Sequence, residues 1–382
     1  MKSSSETPRS IGFVTQHLDL SVGFGTYARE LLRALAVRFP AVELRVYVPR
    51  APTDLTLPAG VEIVTIPTEY RRSRLIWWKH VTAARRARRD GVDLIHYLDP
   101  SAPLGVHHPP TVMSLLDAIP WAMPQYRLDR YQDVILRRDV RVVDHILTIS
   151  THARDELSRL LQVDTSRITV TLLGCEIPEV STWNPDHAAP YWLCFGGTEI
   201  RKNVEAAIRA LDLVATFGGS EGARLKIVGP NEPSRTYRRC EELMSGIPAN
   251  TQARVDWLGT VSDDELERLF AGASAVVFPS RYEGFGLPVL EAMARGIPVV
   301  AARTTSIPEV GRNAAVLVSA DDAHGFAEAM ARIVNNPVYG QELSHRGRSV
   351  ARGFSWQRTA EDTMAAYVRV IRSAYRGHRS VT

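Results

Sequence analysis

Two carboxylates and two glycines fall within the nine-residue run E-G-F-G-L-P-V-L-E, from Glu283 to Glu291. Carboxylates accept hydrogen bonds from sugar hydroxyls. Glycines at 284 and 286 let the backbone come close to a ligand, and the amides of a helix that starts just after them point at an anion. A diphosphate fits such a place. A second set lies upstream in G-G-T-E-I-R-K-N, from Gly196 to Asn203, where the adjacent cations Arg201 and Lys202 follow a glycine turn that includes Gly197. Positive charge ahead of a helix opposes the helix dipole, so the pair needs another purpose. Neutralising a diphosphate that gains charge as it leaves is one. Taken singly, each set has a plainer reading: Glu283 as a turn cap with Glu291 solvated on a helix, and Arg201 with Lys202 as a basic, solvated helix start. Together, and in their strand context, they favour a nucleotide-sugar site.

The elements that must hold these residues follow from the flanking pattern. Residues 274–278 form an apolar run that reads as a buried parallel strand, and 279–286 the loop leaving its C-terminal end. Open α/β sheets bind ligands at such ends. Pro288 suits a first helical turn, and Gly296 with Pro298 supplies the stop, so a short helix is predicted over about 288–295. Glu283 then sits in the loop and Glu291 about two turns into the helix, both able to face one cleft at different depths. The run 191–195 reads as the strand before the second set, with a helix over about 203–216 after it.

Strand-like runs recur at 11–15, 42–48, 61–66, 92–97, 111–115, 145–149 and 168–172, then at 193–195, 225–228, 255–258, 275–278, 299–301 and 315–318. They alternate with helical patterns, which implies parallel sheets with helices on both faces. Residues 176–190, with Pro178, Pro185 and Pro190, break the alternation and read as a linker. In V-G-F-G-T-Y, Gly23 and Gly25 join the first strand to a helix whose apolar positions Tyr27, Leu31 and Leu35 recur every four residues. The loop is a second candidate anion or sugar site, although position 28 is alanine and the G-x-G-x-x-G fingerprint fails. Asp117, at the end of the run 111–115, is either an acceptor-hydroxyl contact or a turn cap.

Composition bounds the rest. The 382 residues suffice for two domains with full cores, and 45% hydrophobic with 23% charged residues is ordinary for globular proteins. Cys175, Cys194 and Cys240 are odd in number and show no metal-ligand spacing, which points to a reducing cytoplasm. M-K-S-S-S-E-T-P-R-S has no apolar core, so neither a signal peptide nor a membrane span is expected there. Arg71, Arg72, Arg74, Trp77, Trp78, Lys79, Arg85, Arg86, Arg88 and Arg89 form a basic stretch with tryptophans. It suits anionic lipid or a lipid-diphosphate acceptor, and equally an ordinary solvated helix with at least one tryptophan packed inward. The net charge of +4 allows membrane attraction without requiring it. No motif supports nucleic-acid binding. His17, His96, His107 and His108 do not make a metal set, and no metal is expected.

From Ala253 to about Asp322 the chain, including W-L-G-T-V-S-D-D-E-L, F-P-S-R-Y-E-G-F-G-L-P-V-L-E-A-M-A-R-G-I-P-V-V-A and T-T-S-I-P-E-V-G, closely resembles the family-4 retaining glycosyltransferases of GT-B fold. Weaker likeness extends over nearly the whole chain, through V-G-F-G-T-Y-A-R-E-L-L-R-A-L, V-D-L-I-H-Y and G-G-T-E-I-R-K-N. The resemblance implies two Rossmann-like, doubly wound α/β domains facing each other across a cleft. An N-terminal acceptor domain is expected over 1–180 and a donor domain over 181–356, with a C-terminal helix over 357–382 returning to the first. It further implies that Glu283 contacts the donor sugar and Glu291 the ribose, that Arg201 and Lys202 hold the diphosphate, and that the backbone of Phe285, Gly286 and Leu287 meets phosphates or sugar. The Gly23–Gly25 loop would face the diphosphate across the cleft. A base pocket is expected from main chain around Trp257, Leu258 and Val261.

Two positions depart from the family pattern. Leu116 stands where many relatives have a histidine, which leaves a histidine role there without a carrier, and G-R-N-A-A at 311–315 lacks the usual acidic residue after glycine, read as a surface change. The implied reaction moves a hexose, mannose first, from a GDP- or UDP-linked donor to a saccharide or lipid-linked saccharide acceptor with retention, without metal, in bacterial surface polysaccharide or lipid-linked glycan assembly. A nucleotide-sugar epimerase and a non-catalytic binding subunit are the alternatives.

Overall fold

The computed structural model describes residues 7–18, 23–52, 55, 57–105, 109–181, 183–185, 189–197, 199–219, 222–229, 242 and 244–379, the last four by backbone alone. His107, His108, Cys240 and Val22 of the sequence reading lie outside the described residues. The chain forms two compact units, Met1–Gly174 with Ser355–Thr382, and Cys175–Phe354.

The first unit is a seven-stranded sheet: β1 Ser10–Val14, β2 Glu43–Val48, β3 Val61–Thr65, β4 Leu94–Tyr97, β5 Thr111–Ser114, β6 His145–Thr148 and β7 Ile168–Val170. The order is β3-β2-β1-β4-β5-β6-β7 and every pairing is parallel. Its helices are α1 Phe24–Arg38, α2 Arg72–Trp77, α3 Ala83–Arg89, α4 Ile119–Ala122, α5 Arg130–Val142 and α6 Thr151–Leu161. Helix α1 starts earlier than the sequence reading placed it, so Gly25 is buried inside its first turn and only Gly23, at φ 63°, remains in the loop. The basic stretch is α2 and α3 joined by a π-turn, Trp78–Thr82.

The C-terminal helix Trp356–Arg379 belongs to this unit. Its Tyr367 hydroxyl lies 2.6 Å from His96 Nδ1, and His96 Nε2 lies 2.8 Å from Ser114 Oγ, which meets the Tyr27 hydroxyl at 2.8 Å. This chain of buried polar groups ties the helix to β4, β5 and α1. Burial lowers the His96 pKa to about 3, so the ring is a neutral relay of hydrogen bonds.

The second unit is six-stranded: β8 Tyr191–Phe195, β9 Arg224–Val228, β10 Val255–Gly259, β11 Ala275–Phe278, β12 Val299–Ala302 and β13 Ala315–Val318, again all parallel, in the order β10-β9-β8-β11-β12-β13. Its helices are α7 Val204–Leu213, α8 Ala249–Gln252, α9 Asp263–Gly272, α10 Leu287–Arg295, α11 Ile307–Gly311, α12 Ala323–Asn335 and α13 Pro337–Ala351. Strands β11 and β12 are buried at every residue, as sheets covered on both faces require. The proline-rich stretch after Cys175 runs along this unit, with Trp183 Nε1 donating to the Ala273 carbonyl at 2.9 Å and Arg348 holding the Pro178 carbonyl at 2.8 Å. In both units the strand order reverses about one strand pair, β1/β4 and β8/β11. Crevices that take ligands in doubly wound sheets form beyond the C-terminal ends of such pairs.

Candidate active site

Beyond β8 and β11 the loops 196–203 and 279–286 meet. Arg201 Nη1 donates to Glu283 Oε2 at 2.9 Å, and Lys202 Nζ pairs with Glu283 Oε1 at 2.8 Å. The three side chains retain 17%, 12% and 8% of their exposure. Burial pushes the Glu283 carboxyl up, but the charges of Lys202 and Arg201 outweigh it and hold the pKa below the ordinary value. Arg201 Nε also pairs with the more exposed Glu199 carboxylate at 2.7 Å, so two cations and two carboxylates share a largely desolvated cluster. An anion such as a diphosphate would be received by the same guanidinium and ammonium groups in competition with those carboxylates.

The local sequence explains how the cluster is held. Isoleucine, arginine and lysine 200–202 form a single 3-10 turn, and Asn203, in the left-handed region at φ 52°, turns the chain into α7. Asn203 Nδ2 donates to the carbonyls of Pro279 and Ala320, at 3.0 and 2.8 Å, and the Arg281 amide donates to the Arg201 carbonyl at 2.7 Å. The Lys202 stem crosses Gly196, where a Cβ would lie 2.2 Å from its Cγ, and its ammonium sits 5.0 Å from the centroid of the Phe278 ring. Only glycine serves at position 196, since φ is also +127°.

The other loop is braced from the turn after β12. Thr305 Oγ1 accepts from the Glu283 amide at 3.0 Å, and Ser306 Oγ contacts the carbonyls of Glu283 and Phe285 at 3.0 and 2.9 Å. Thr304 Oγ1 donates to the Ser280 carbonyl at 2.7 Å. The Phe285 ring is buried edge-on against Phe354, 6.0 Å between centroids, so only its backbone is available to a ligand. Gly286, at φ 104°, precedes α10, and a Cβ there would reach within 2.6 Å of Ile307. Leu287 opens the helix half-buried. Arg312, read as a surface change, is exposed but stacks 4.8 Å over the Phe354 ring that backs Phe285.

Glu291 lies about one turn into α10, which begins at Leu287, and not two turns in as the sequence reading had it, since only four positions separate them. Its carboxyl is half-buried, and burial pushes its pKa up to about 7, opposed by Arg295 and reinforced by Glu267. It therefore stands apart from the Glu283 cluster, on the helix that follows the Glu283 loop and in a different electrostatic setting. Gly197 borders Gly229, where a Cβ would come within 2.5 Å of the Gly197 nitrogen. Leu258 falls at the register shift in β10 between Trp257 and Gly259, and the Gly259 carbonyl accepts from the Gly229 amide at 3.0 Å. Trp257 packs against the unit's core.

The remaining candidates belong to the first unit. Asp117 Oδ1 accepts from the Ile119 amide at 3.0 Å, the turn-capping arrangement, just beyond β5. Leu116 beside it is buried. Gly23 leads into α1, next to the β1/β4 reversal, where buried Asp99 accepts from the Gln16 amide at 2.7 Å and the Thr15 hydroxyl at 3.1 Å. Among the described residues no group of three His, Cys, Asp or Glu side chains is arranged to hold a metal ion. Sequence reasoning missed Asn203, Thr304, Thr305, Ser306 and Asp99. Asn203, closing G-G-T-E-I-R-K-N, and T-T-S lie inside runs that resemble the family and carried a signal, whereas Asp99 carried none.

Two family models match this chain. Glycosyltransferase Family 4 covers residues 22–176, and glycosyl transferases group 1 covers residues 189–336. The O-antigen chain mannosyltransferase B of Escherichia coli is 27% identical across 90% of this chain and 95% of its own length. An MMP alpha-(1->4)-mannosyltransferase of Mycolicibacterium hassiacum is 28% identical across 70% of this chain and 64% of its own. Among solved structures, sucrose-phosphate synthase from Thermosynechococcus elongatus superposes with a TM-score of 0.74 at 20% identity, covering 96% of this chain and 100% of that one. An Anabaena protein solved with UDP and glucose gives 0.67 at 16% identity, covering 94% and 98%. With two parallel Rossmann-like sheets and both models matched in order, the chain belongs to the group 1, family-4 glycosyltransferases of GT-B fold.

Proposed function

We propose that this glycosyltransferase moves a hexose, mannose first, from a GDP- or UDP-linked donor to a hydroxyl of a saccharide or lipid-linked saccharide, with retention at the anomeric carbon. The observation that carries this reading is the desolvated Arg201–Lys202–Glu283 cluster at the β8/β11 reversal. The names of the two mannosyltransferase relatives support mannose, and that of the O-antigen chain enzyme supports a role in bacterial polysaccharide assembly. The Anabaena structure with UDP supports a nucleotide diphosphate as the leaving group.

In the proposed reaction the bond from the anomeric carbon to the diphosphate oxygen breaks and a bond to the acceptor oxygen forms on the same face. The acceptor proton passes to a diphosphate oxygen. Arg201 and Lys202 stabilise the charge that grows on that diphosphate, and the buried setting strengthens the effect. Glu283 orients the sugar through its hydroxyls, and Glu291 takes the ribose. The backbone of Gly197, Phe285, Gly286 and Leu287 lies against phosphates and sugar, and main chain near Leu258 receives the base. Asp117 serves the acceptor hydroxyl. These cations supply the neutralisation a divalent metal would otherwise give, so turnover should persist in chelator.

The test is release of nucleoside diphosphate from GDP-mannose and UDP-glucose with and without a saccharide acceptor, with the product anomer read by proton NMR. Acceptor-dependent release with retention is expected. Inversion would overturn the stereochemical reading. Conversion of the donor sugar without acceptor would favour an epimerase, and binding without release a non-catalytic subunit.

A further inference from the structure

Eleven large apolar side chains are exposed among the described residues, and six of them, Tyr70, Trp77, Leu104, Tyr131, Val134 and Val142, fall on or beside α2, α5 and the loop between β4 and β5. Such concentration on one part of a surface marks an interaction site. The sequence offered Trp77 and Trp78 as equals. The structure separates them: Trp78 is 1% exposed and donates from Nε1 to the Ile66 carbonyl, whereas Trp77 is 55% exposed. The π-turn that begins at Trp78 sends Trp78, His80 and Val81 inward and leaves Trp77 with no core to fill.

Helix α5, which the sequence did not implicate, completes the surface. It is bound to α2 and the π-turn at both ends. Arg72 pairs with Asp129 at the N-terminus of α5, with its guanidinium 5.7 Å over the Tyr131 ring, and buried His80 meets Asp139 at 2.8 Å farther along. Leu104 is drawn in by its amide, which donates to the His80 carbonyl at 2.8 Å, while Arg138 holds the Ala102 and Pro103 carbonyls. On α5, Tyr131 and Val134 are three residues apart and share a face. Across residues 69–79 and 127–131, six arginines and lysines stand against two carboxylates, Glu69 and Asp129. Of the cations, Arg71, Arg74, Arg127 and Arg130 are exposed around the aromatic groups.

Exposed tryptophan and tyrosine set among arginines is the chemistry of a membrane–water interface, with rings at headgroup depth and guanidinium groups on lipid phosphates. We propose that the α2–α5 surface of the first unit docks on an anionic bilayer, with Trp77 and Tyr131 entering the headgroup layer. Among the described residues no helix is long and apolar enough to cross a membrane, so the contact is peripheral. The inference is independent of the donor site, since it needs neither nucleotide nor turnover.

The experiment is partition of the full chain onto vesicles of phosphatidylcholine, alone or mixed with phosphatidylglycerol. Binding to the anionic vesicles alone, weakening with salt, is expected. Trp77→Ala with Tyr131→Ala should lower the partition about tenfold or more, since both lose interfacial apolar area. Arg74→Glu and Arg130→Glu should each lower it about fivefold or more. All four side chains are exposed, so unchanged melting temperatures check that the variants fold. Quenching by brominated lipid should largely vanish in Trp77→Phe, although six other tryptophans remain. Failure to bind anionic vesicles, equal binding to neutral ones, equal partition of all variants, displacement by inorganic phosphate, or quenching undiminished in Trp77→Phe would each overturn the proposal. A loss of donor turnover with vesicle binding intact would strike the proposed function and leave this inference standing.

Discussion

Replacing Glu283 with glutamine separates charge from shape at the centre of the site. The carboxylate lies 2.9 Å from Arg201 and 2.8 Å from Lys202. At an effective dielectric of about 20, each contact is worth about 6 kcal/mol of Coulomb attraction, most of it offset by desolvation of the three ions. Removing the shared anion takes this carboxylate from Lys202 and leaves Arg201 with Glu199, and losses of about 3–5 kcal/mol are typical for a broken buried pair. Some water enters a site that is not fully closed, so about 2–4 kcal/mol is expected, or a fall in melting temperature of roughly 5–15 °C for a unit of this size. The Glu283 pKa is held below its ordinary 4.5, so its pairing stabilises the fold above that value and is lost only as pH falls further. The deficit of Glu283→Gln should therefore be flat between about pH 5 and 8. Affinity for a nucleoside diphosphate should hold or rise, because Glu283 no longer competes with the ligand for Arg201 and Lys202. Transfer of the sugar should fall by about a hundredfold or more, the scale of a lost orienting and stabilising group. Calorimetric titration with GDP and UDP beside a turnover assay reads the two effects separately. A nucleoside diphosphate affinity that collapses together with turnover would refute the charge accounting.

Three further outcomes follow from neighbouring residues. The Glu291 pKa is raised from 4.5 to about 7, so the folded state holds that proton more tightly and stability falls as pH rises across this window, by at most about 3 kcal/mol; Glu291→Gln should melt higher than the parent at pH 8, similarly at pH 4, and bind the donor nucleotide more weakly. Gly196→Ala places a methyl 2.2 Å from Lys202 Cγ at a φ of +127°, and should cost about 2 kcal/mol or more in denaturant unfolding while displacing Lys202. Ser306→Ala removes the hydroxyl contact to the Glu283 and Phe285 carbonyls, at about 1–2 kcal/mol, and a rise in donor KM is expected with the far-ultraviolet circular dichroism unchanged.

The sheets were legible because parallel strands buried on both faces leave continuous apolar runs, and each of the thirteen observed strands overlaps one. Their order was not legible from those runs, since pairing depends on how the crossovers pack. At the site, glycine, carboxylate and paired cations could be read as groups for phosphate and hydroxyl. That Glu283 is the partner of both Arg201 and Lys202 could not, because the two runs are about eighty residues apart and meet only through the β8–β11 pairing. The same reason hid Asn203 and the Thr304–Ser306 brace, which act by bonding loops from different strands. Trp77 and Trp78 are adjacent and chemically equal in the sequence. Only the π-turn decides which is buried.

The central claim is that the Arg201–Lys202–Glu283 cluster receives the diphosphate of a sugar donor. Thermal denaturation with a panel of GDP-, UDP-, ADP- and dTDP-sugars tests it most directly, in the parent and in Lys202→Ala. At about a hundred times its Kd a ligand of the folded state adds about 2.7 kcal/mol. One class of donor should give that stabilisation in the parent and little of it in Lys202→Ala. No stabilisation by any donor, or equal stabilisation of both proteins, would contradict the claim.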